Sequence, residues 1–201
     1  MLRRSAPRRH LHAVGSQGRV DIDAAEGAAG DLLSALGADL ESPGLRETPR
    51  RIADAYAELL TPLPFNPTTF PNDEGYDELV VVRDIPFRSL CMHHMLPFHG
   101  LAHVGYLPGE RIVGLSKLGR VVDFFSRDLQ VQERLTTQVA DWIDERLAPR
   151  GVGVIIEAEH LCMSMRGVQK EGSRTVTSSL RGLVKADART RQEFLSLAGQ
   201  S

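Results

Sequence analysis

The chain has little of what marks a specialised environment. Only two of its 201 residues are cysteines, Cys91 and Cys162, too few for the disulfide framework of a small secreted domain. In a reducing compartment such cysteines are free, buried or metal-bound, and their neighbours have to decide which. No apolar run reaches about 18 residues, so no membrane-spanning helix and no membrane partner are expected. The opening residues lack the apolar stretch of a secretory signal, and the expected location is the cytoplasm. Neither sign of charge is in excess, with 24 Lys and Arg against 26 Asp and Glu and a formal net charge of −2. That argues against the broad positive footprint of a duplex-binding protein, so no nucleic-acid partner is expected; a local basic pocket for a small phosphorylated ligand stays open. The two common nucleotide loops, G-x-x-x-x-G-K-[ST] and G-x-G-x-x-G, are both missing. Aromatics are scarce at 5%, yet hydrophobic residues reach 42%, enough to bury a core.

What is present falls into three parts. Residues 1–20 carry Arg3, Arg4, Arg8, Arg9 and Arg19 with no acidic residue, and read as a disordered basic tail. Residues 21–72 read as an N-terminal helical region and a proline-rich connector. Leu32, Leu33, Leu36 and Leu40 recur at helical spacing. Thr48 is placed to cap a second helix, with Pro49 in its first turn and Ile52, Ala55, Tyr56 and Leu59 as its apolar stripe. Pro62, Pro64, Pro67 and Pro71 stiffen the connector.

From residue 73 to 201 the pattern is that of one further domain. Alternation predicts strands over 78–83, 87–91 and 99–107, with turns at Pro86, Pro97 and Pro108-Gly109. Helices follow over 116–127 and 130–147, the second with Leu135, Val139, Trp142, Ile143 and Leu147 as a core stripe. A long strand over 152–166, a partner over 175–185 and a terminal helix over 189–198 complete the chain. Strands, two helices and strands again predict an α+β fold with both helices on one face of the sheet.

The chemistry concentrates around the two cysteines. In Cys91-Met92-His93-His94 the residues three apart converge on one point of a tight turn, which makes Cys91 and His94 a ligand pair and sends His93 elsewhere. In a strand over 152–166, His160, Cys162, Ser164 and Arg166 share one face, and Leu161, Met163 and Met165 face the core. The bland alternative is a pair of buried cysteines with structural histidines. A metal set of Cys91, His94 and Cys162 has three ligands, which leaves a position for water or substrate as in catalytic rather than structural sites. His93 and His160 would then be proton carriers beside the metal, whereas His99 and His103 read as scaffold. Ser116, Lys117 and Arg120 at a helix start would suit an anion. Gln132 and Glu133 at the next helix start fit an N-terminal charge preference.

The sequence resembles the GTP cyclohydrolase I family. The matching stretches are LRETPRRIADAYAELL, SLCMHHMLPFHGLAHVGYLPG, IVGLSKLGRVVDFFSRDLQVQERLT and EAEHLCMSMRGVQKEGSRTVTSSLRG, which span about residues 45–198. The resemblance implies a tunnelling fold (T-fold) and a Zn²⁺ cofactor held by Cys91, His94 and Cys162. It implies that His93 protonates the purine near N7 and that His160 assists proton transfer at the ribose. It places Glu133 on the guanine N1–H and amino group with Gln132 beside it, and Ser116, Lys117, Arg120 and Arg166 around the ribose and triphosphate. The implied reaction is hydrolysis of GTP at C8, release of formate and formation of 7,8-dihydroneopterin triphosphate, the first step of tetrahydrofolate and pterin biosynthesis. The implied assembly is a toroidal homodecamer with active sites shared between subunits. One departure is Met92, where the family often has Glu. Two readings stay open beside it: a cyclohydrolase that stops before the pterin, and a non-catalytic zinc-stabilised binding protein.

Overall fold

A computed structural model describes residues 20–199, so the basic tail expected at the N-terminus lies, but for Val20, outside the described residues. Two helices come first. Helix α1 (Ile22–Ala35) is capped by Asp21, whose side chain accepts from the Ala24 N–H at 3.0 Å. It packs on α2 (Thr48–Leu60) through its small residues: Ala29 is buried, whereas Leu32 and Leu36 are exposed. In α2 the cap position is Glu47 and makes no side-chain bond, so Thr48 lies inside the helix and is not its cap. Ala53 takes the buried position expected for Ala55, which is exposed.

The connector is pinned rather than free. Phe65 stands 5.5 Å from the Trp142 ring and 6.0 Å from Phe124, and Thr69–Pro71 (β1) pairs with Arg111–Val113 (β4) in a small sheet the sequence pattern did not reveal.

The main sheet has the order β5-β2-β3-β6-β7 and is antiparallel except for the short parallel pairing of β5. Its strands are β2 (Val80–Cys91), β3 (Pro97–Leu107), β5 (Leu129–Gln130), β6 (Gly151–His160) and β7 (Thr175–Arg181). The two expected strands 78–83 and 87–91 are one, interrupted by a register shift between Val82 and Ile85 with Asp84 at φ 58°. Pro86 sits within this strand instead of turning it. It is tolerated because β5 covers Leu90 and Cys91 alone, so among the described residues β2 is an open edge at Pro86.

Helices α3 (Leu115–Ser126) and α4 (Gln132–Leu147) lie on one face of the sheet, as expected, and bury Leu118, Val121, Phe125, Leu135, Val139 and Ile143 against β2, β3 and β6. On the other face, α6 (Gly182–Ala186) and α7 (Ala188–Leu197) lay Val184 and Phe194 on the sheet. The observed α+β architecture is thus the expected one, with an added cover on the second face. The expected strand over 175–185 stops at Arg181, because Gly182 turns left-handed at φ 53° against the backbone of Arg150 and Gly151.

Phe194 explains why Gly153 has no side chain. A Cβ there would meet its fully buried ring at 2.6 Å. We expect Gly153→Ala to destabilise the fold by about 1–3 kcal/mol through overpacking. Chemical denaturation that finds no loss of stability would contradict this packing.

Candidate active site

The hairpin between β2 and β3 carries the first two ligand candidates. Cys91 N–H donates to the Leu96 carbonyl at 2.9 Å, and Met95 N–H returns to the Cys91 carbonyl at 2.8 Å, with Met95 left-handed at φ 55°. This closes a tight loop over residues 91–96. Two outside bonds fix it: Met92 N–H donates to the Gln130 carbonyl at 2.9 Å, and the Tyr56 hydroxyl donates to the Met95 carbonyl at 3.1 Å. The Met92 side chain points to solvent, as a non-ligand should.

The third candidate arrives differently from expectation. Strand β6 ends at His160, and Leu161–Ser164 form a helical turn, α5, so residues 160–166 do not alternate along a strand. The partners run out there: β3 begins at Pro97, beside the Phe98–His160 pair, and β7 begins at Thr175 opposite Ala158. A longer strand would leave both edges unpaired, and the chain coils instead. Met163 and Met165, expected in the core, are exposed, whereas Cys162 and Ser164 are buried.

The outcome is still a cluster. The donor atoms of Cys91, His94 and Cys162 all lie within 4.8 Å of one another, with Cys91 Sγ 3.8 Å from His94 Nδ1. A tetrahedral ion with ordinary thiolate and imidazole bond lengths separates its donors by about 3.5–3.8 Å, so this set can close on a metal with little movement. Burial and the neighbouring Cys91 sulfur push the Cys162 thiol up, so a pair of thiolates here needs a cation. His93 does not turn away: its Nδ1 is also 3.8 Å from Cys91 Sγ, beside the three-donor group.

His160 is held on two sides. Its ring stacks on Phe98, centroids 4.6 Å apart and planes 1° from parallel, and its Nε2 lies 2.7 Å from Gln132 Oε1. Burial pulls its pKa down and so favours the neutral imidazole, an effect partly offset by the Glu133 carboxylate. Glu133 itself is exposed at the start of α4. Gln132, expected against a substrate, is fully enclosed, with its amide bonded inside the protein. Ser116, Lys117 and Arg120 sit on the first turns of α3, exposed or half-buried, and among the described residues their side chains make no hydrogen bond or ion pair. Arg166 is exposed and donates to the Cys162 carbonyl at 3.2 Å. His103 is scaffold, as expected: buried, with Nδ1 accepting from the Asp84 N–H at 3.3 Å. Tyr56, Phe98 and Gln130 belong to this site and had no signal in the sequence beyond ordinary core or helix patterning.

Comparison with known proteins decides the family. The GTP cyclohydrolase I family profile matches residues 25–199. The chain belongs to the GTP cyclohydrolase I family. It is accordingly an enzyme, a GTP cyclohydrolase I by its relatives. GTP cyclohydrolase 1 of Mycobacterium ulcerans (strain Agy99) is 52% identical over 182 residues, covering 88% of this chain and 90% of that one. GTP cyclohydrolase 1 of Mycobacterium tuberculosis (strain ATCC 25177 / H37Ra) gives the same figures, 52% over 182 residues, 88% and 90%. That of Mycolicibacterium paratuberculosis (strain ATCC BAA-968 / K-10) is 50% identical over 198 residues, 96% of each chain. A solved structure, archaeosine synthase QueF-like in the apo form, aligns with 52% of this chain and 93% of its own, at 16% identity and TM-score 0.42. Among the described residues no helix is long and apolar enough to cross a membrane.

Proposed function

We propose that the chain is a zinc-dependent GTP cyclohydrolase I that converts GTP to formate and 7,8-dihydroneopterin triphosphate. The observation that carries this reading is the Cys91–His94–Cys162 cluster, with His93 beside it and His160 two residues before Cys162, inside a chain of this family. Two thiolates and an imidazole suit zinc, and three protein ligands keep one position open. When bound, zinc supplies an activated water near neutral pH.

The chain's own residues do the rest. Glu133 accepts from the guanine N1–H and 2-amino group together, a donor pair adenine does not offer. Ser116, Lys117, Arg120 and Arg166, cationic or hydroxylic and exposed, hold the ribose and triphosphate. His93 gives a proton to N7, which makes C8 electrophilic; water adds at C8 and the C8–N9 bond breaks, leaving a formyl group on N7. A second hydrolysis frees C8 as formate. His160 moves protons at the ribose, whose carbons rearrange and close on the exposed amine. Two waters are consumed and one is returned on closure, a net hydrolysis. This is the first step towards tetrahydrofolate and other pterins, in the cytoplasm, where both cysteines stay reduced. The assembly is a toroidal homodecamer with shared sites; support comes from the exposed apolar side chains near the cluster, Met92, Met95, Met163, Met165 and Val168, and from the outer edge of β7.

Metal removal separates this reading from a zinc-stabilised binding protein. The chelator-stripped chain should keep its far-ultraviolet circular dichroism, stop consuming GTP, and recover with zinc. Unfolding on stripping would mark the metal as structural. A folded, zinc-loaded chain that leaves GTP intact would overturn the proposal. Glu133→Ala should weaken GTP binding markedly while keeping the metal; unchanged GTP affinity in titration calorimetry would remove it from guanine recognition.

A further inference from the structure

Gln132, the first residue of α4, is 1% exposed, yet its side chain is the hub of a polar network. Its Nε2 lies 2.9 Å from the Ile156 carbonyl, 2.9 Å from the Thr175 carbonyl and 3.1 Å from Thr177 Oγ1, three acceptors that share its two hydrogens. Its Oε1 lies 2.7 Å from His160 Nε2. Carbonyl oxygens only accept, so the amide nitrogen must face Ile156 and Thr175, and the amide oxygen must face His160.

The far end of the network gives the same orientation independently. Thr136 Oγ1 donates to the Gln132 carbonyl at 2.7 Å and spends its one hydrogen there. Thr177 Oγ1, 2.6 Å away, must therefore donate to Thr136, and only its lone pairs remain for Gln132 Nε2. The orientation of the Gln132 amide is thus the same from both ends of the network. The hydrogen between Gln132 and His160 has to sit on His160 Nε2, because an amide oxygen carries none.

We propose that Gln132 is a positioning residue that locks His160 as its Nε2–H tautomer and leaves Nδ1 as the atom that exchanges protons. For the role of His160 this rests on the proposed function, and it replaces the substrate contact expected of Gln132. Phe98 fixes the plane of the ring, and Gln132 fixes its rotation within that plane. Among the described residues no group bonds His160 Nδ1, so its lone pair has one direction and no competing partner. A proton carrier that must act at one defined atom needs both constraints.

The tautomer can be read without turnover. Long-range ¹H–¹⁵N correlation spectra of the zinc-loaded, histidine-labelled chain report which nitrogen of each ring is protonated, and the His160 signals are those lost in His160→Gln. An Nε2–H pattern near neutral pH is expected; an Nδ1–H or doubly protonated ring overturns the proposal. Gln132→Met removes the acceptor at similar length. We expect it to give mixed tautomers and to lower kcat roughly 10- to 100-fold, the cost of losing an outer partner of a catalytic group, with KM for GTP unchanged. In a His160→Ala background the same substitution should cost nothing further, because both act through one ring. A raised KM with the tautomer intact would return Gln132 to substrate contact and overturn the proposal. If Gln132→Met does not fold, the wild-type spectrum decides alone. A wild-type chain inactive on GTP but showing the Nε2–H pattern would defeat the proposed function and leave the lock standing.

Discussion

Cys162→Ala is expected to lose metal and turnover together. Cys162 is buried on the single turn α5, and its sulfur is one of three donors that, among the described residues, lie within 4.8 Å of one another. Losing an outer partner of a ligand already costs about 10- to 100-fold in affinity or activity, so losing a ligand itself should cost more. The fold should survive, because the side chain is small and α5 is held by its own turn and by the Lys170 N–H on the Met163 carbonyl. Metal analysis of the purified variant with a GTP assay beside it checks both halves. Full metal occupancy would remove Cys162 from the ligand set.

His93→Ala is expected to keep the metal and lose roughly 10²–10⁴-fold in turnover, the contribution of a positioned general acid or base. His93 lies beside the three-donor group, its Nδ1 3.8 Å from Cys91 Sγ and its ring 6.3 Å from that of His94. It is therefore close enough to act on a substrate at the metal. Normal turnover would end the assignment, and loss of the metal would place His93 among the ligands instead.

The two predictions draw on sequence signals of different quality. The Cys91-x-x-His94 pair was legible because four consecutive residues on a hairpin determine their own geometry. Cys162 was assigned correctly to the cluster but for the wrong local reason. Alternation places Cys162 on a strand face, whereas a strand can run only as far as its neighbours do. The neighbours end at Pro97 and Thr175, far away in sequence, and no local pattern records that. The same error put Met163 and Met165 in the core.

The helices α3 and α4 were legible from their apolar periodicity, which survives because tertiary burial and local propensity agree. Helix α1 was legible as a helix but not in its buried face, since it packs through Ala29 and leaves Leu32 and Leu36 exposed. The split of β2 into two strands came from reading Pro86 as a turn, when the bulge at Asp84 and an open strand edge let it remain. Gln132 shows the limit most clearly. Beside Glu133 it reads as another polar residue at a helix start, and only the assembled sheet supplies the two carbonyls that turn its amide towards His160.

The central claim is that this chain removes C8 of GTP and keeps the remaining carbons in a pterin. Incubating the zinc-loaded chain with GTP carrying ¹³C at C8 tests it directly, with formate and pterin resolved by mass spectrometry. Labelled formate and unlabelled 7,8-dihydroneopterin triphosphate in equal amounts is the predicted result. Label retained in a formamide, or formate released without the pterin, would contradict it and point to a cyclohydrolase that stops part-way.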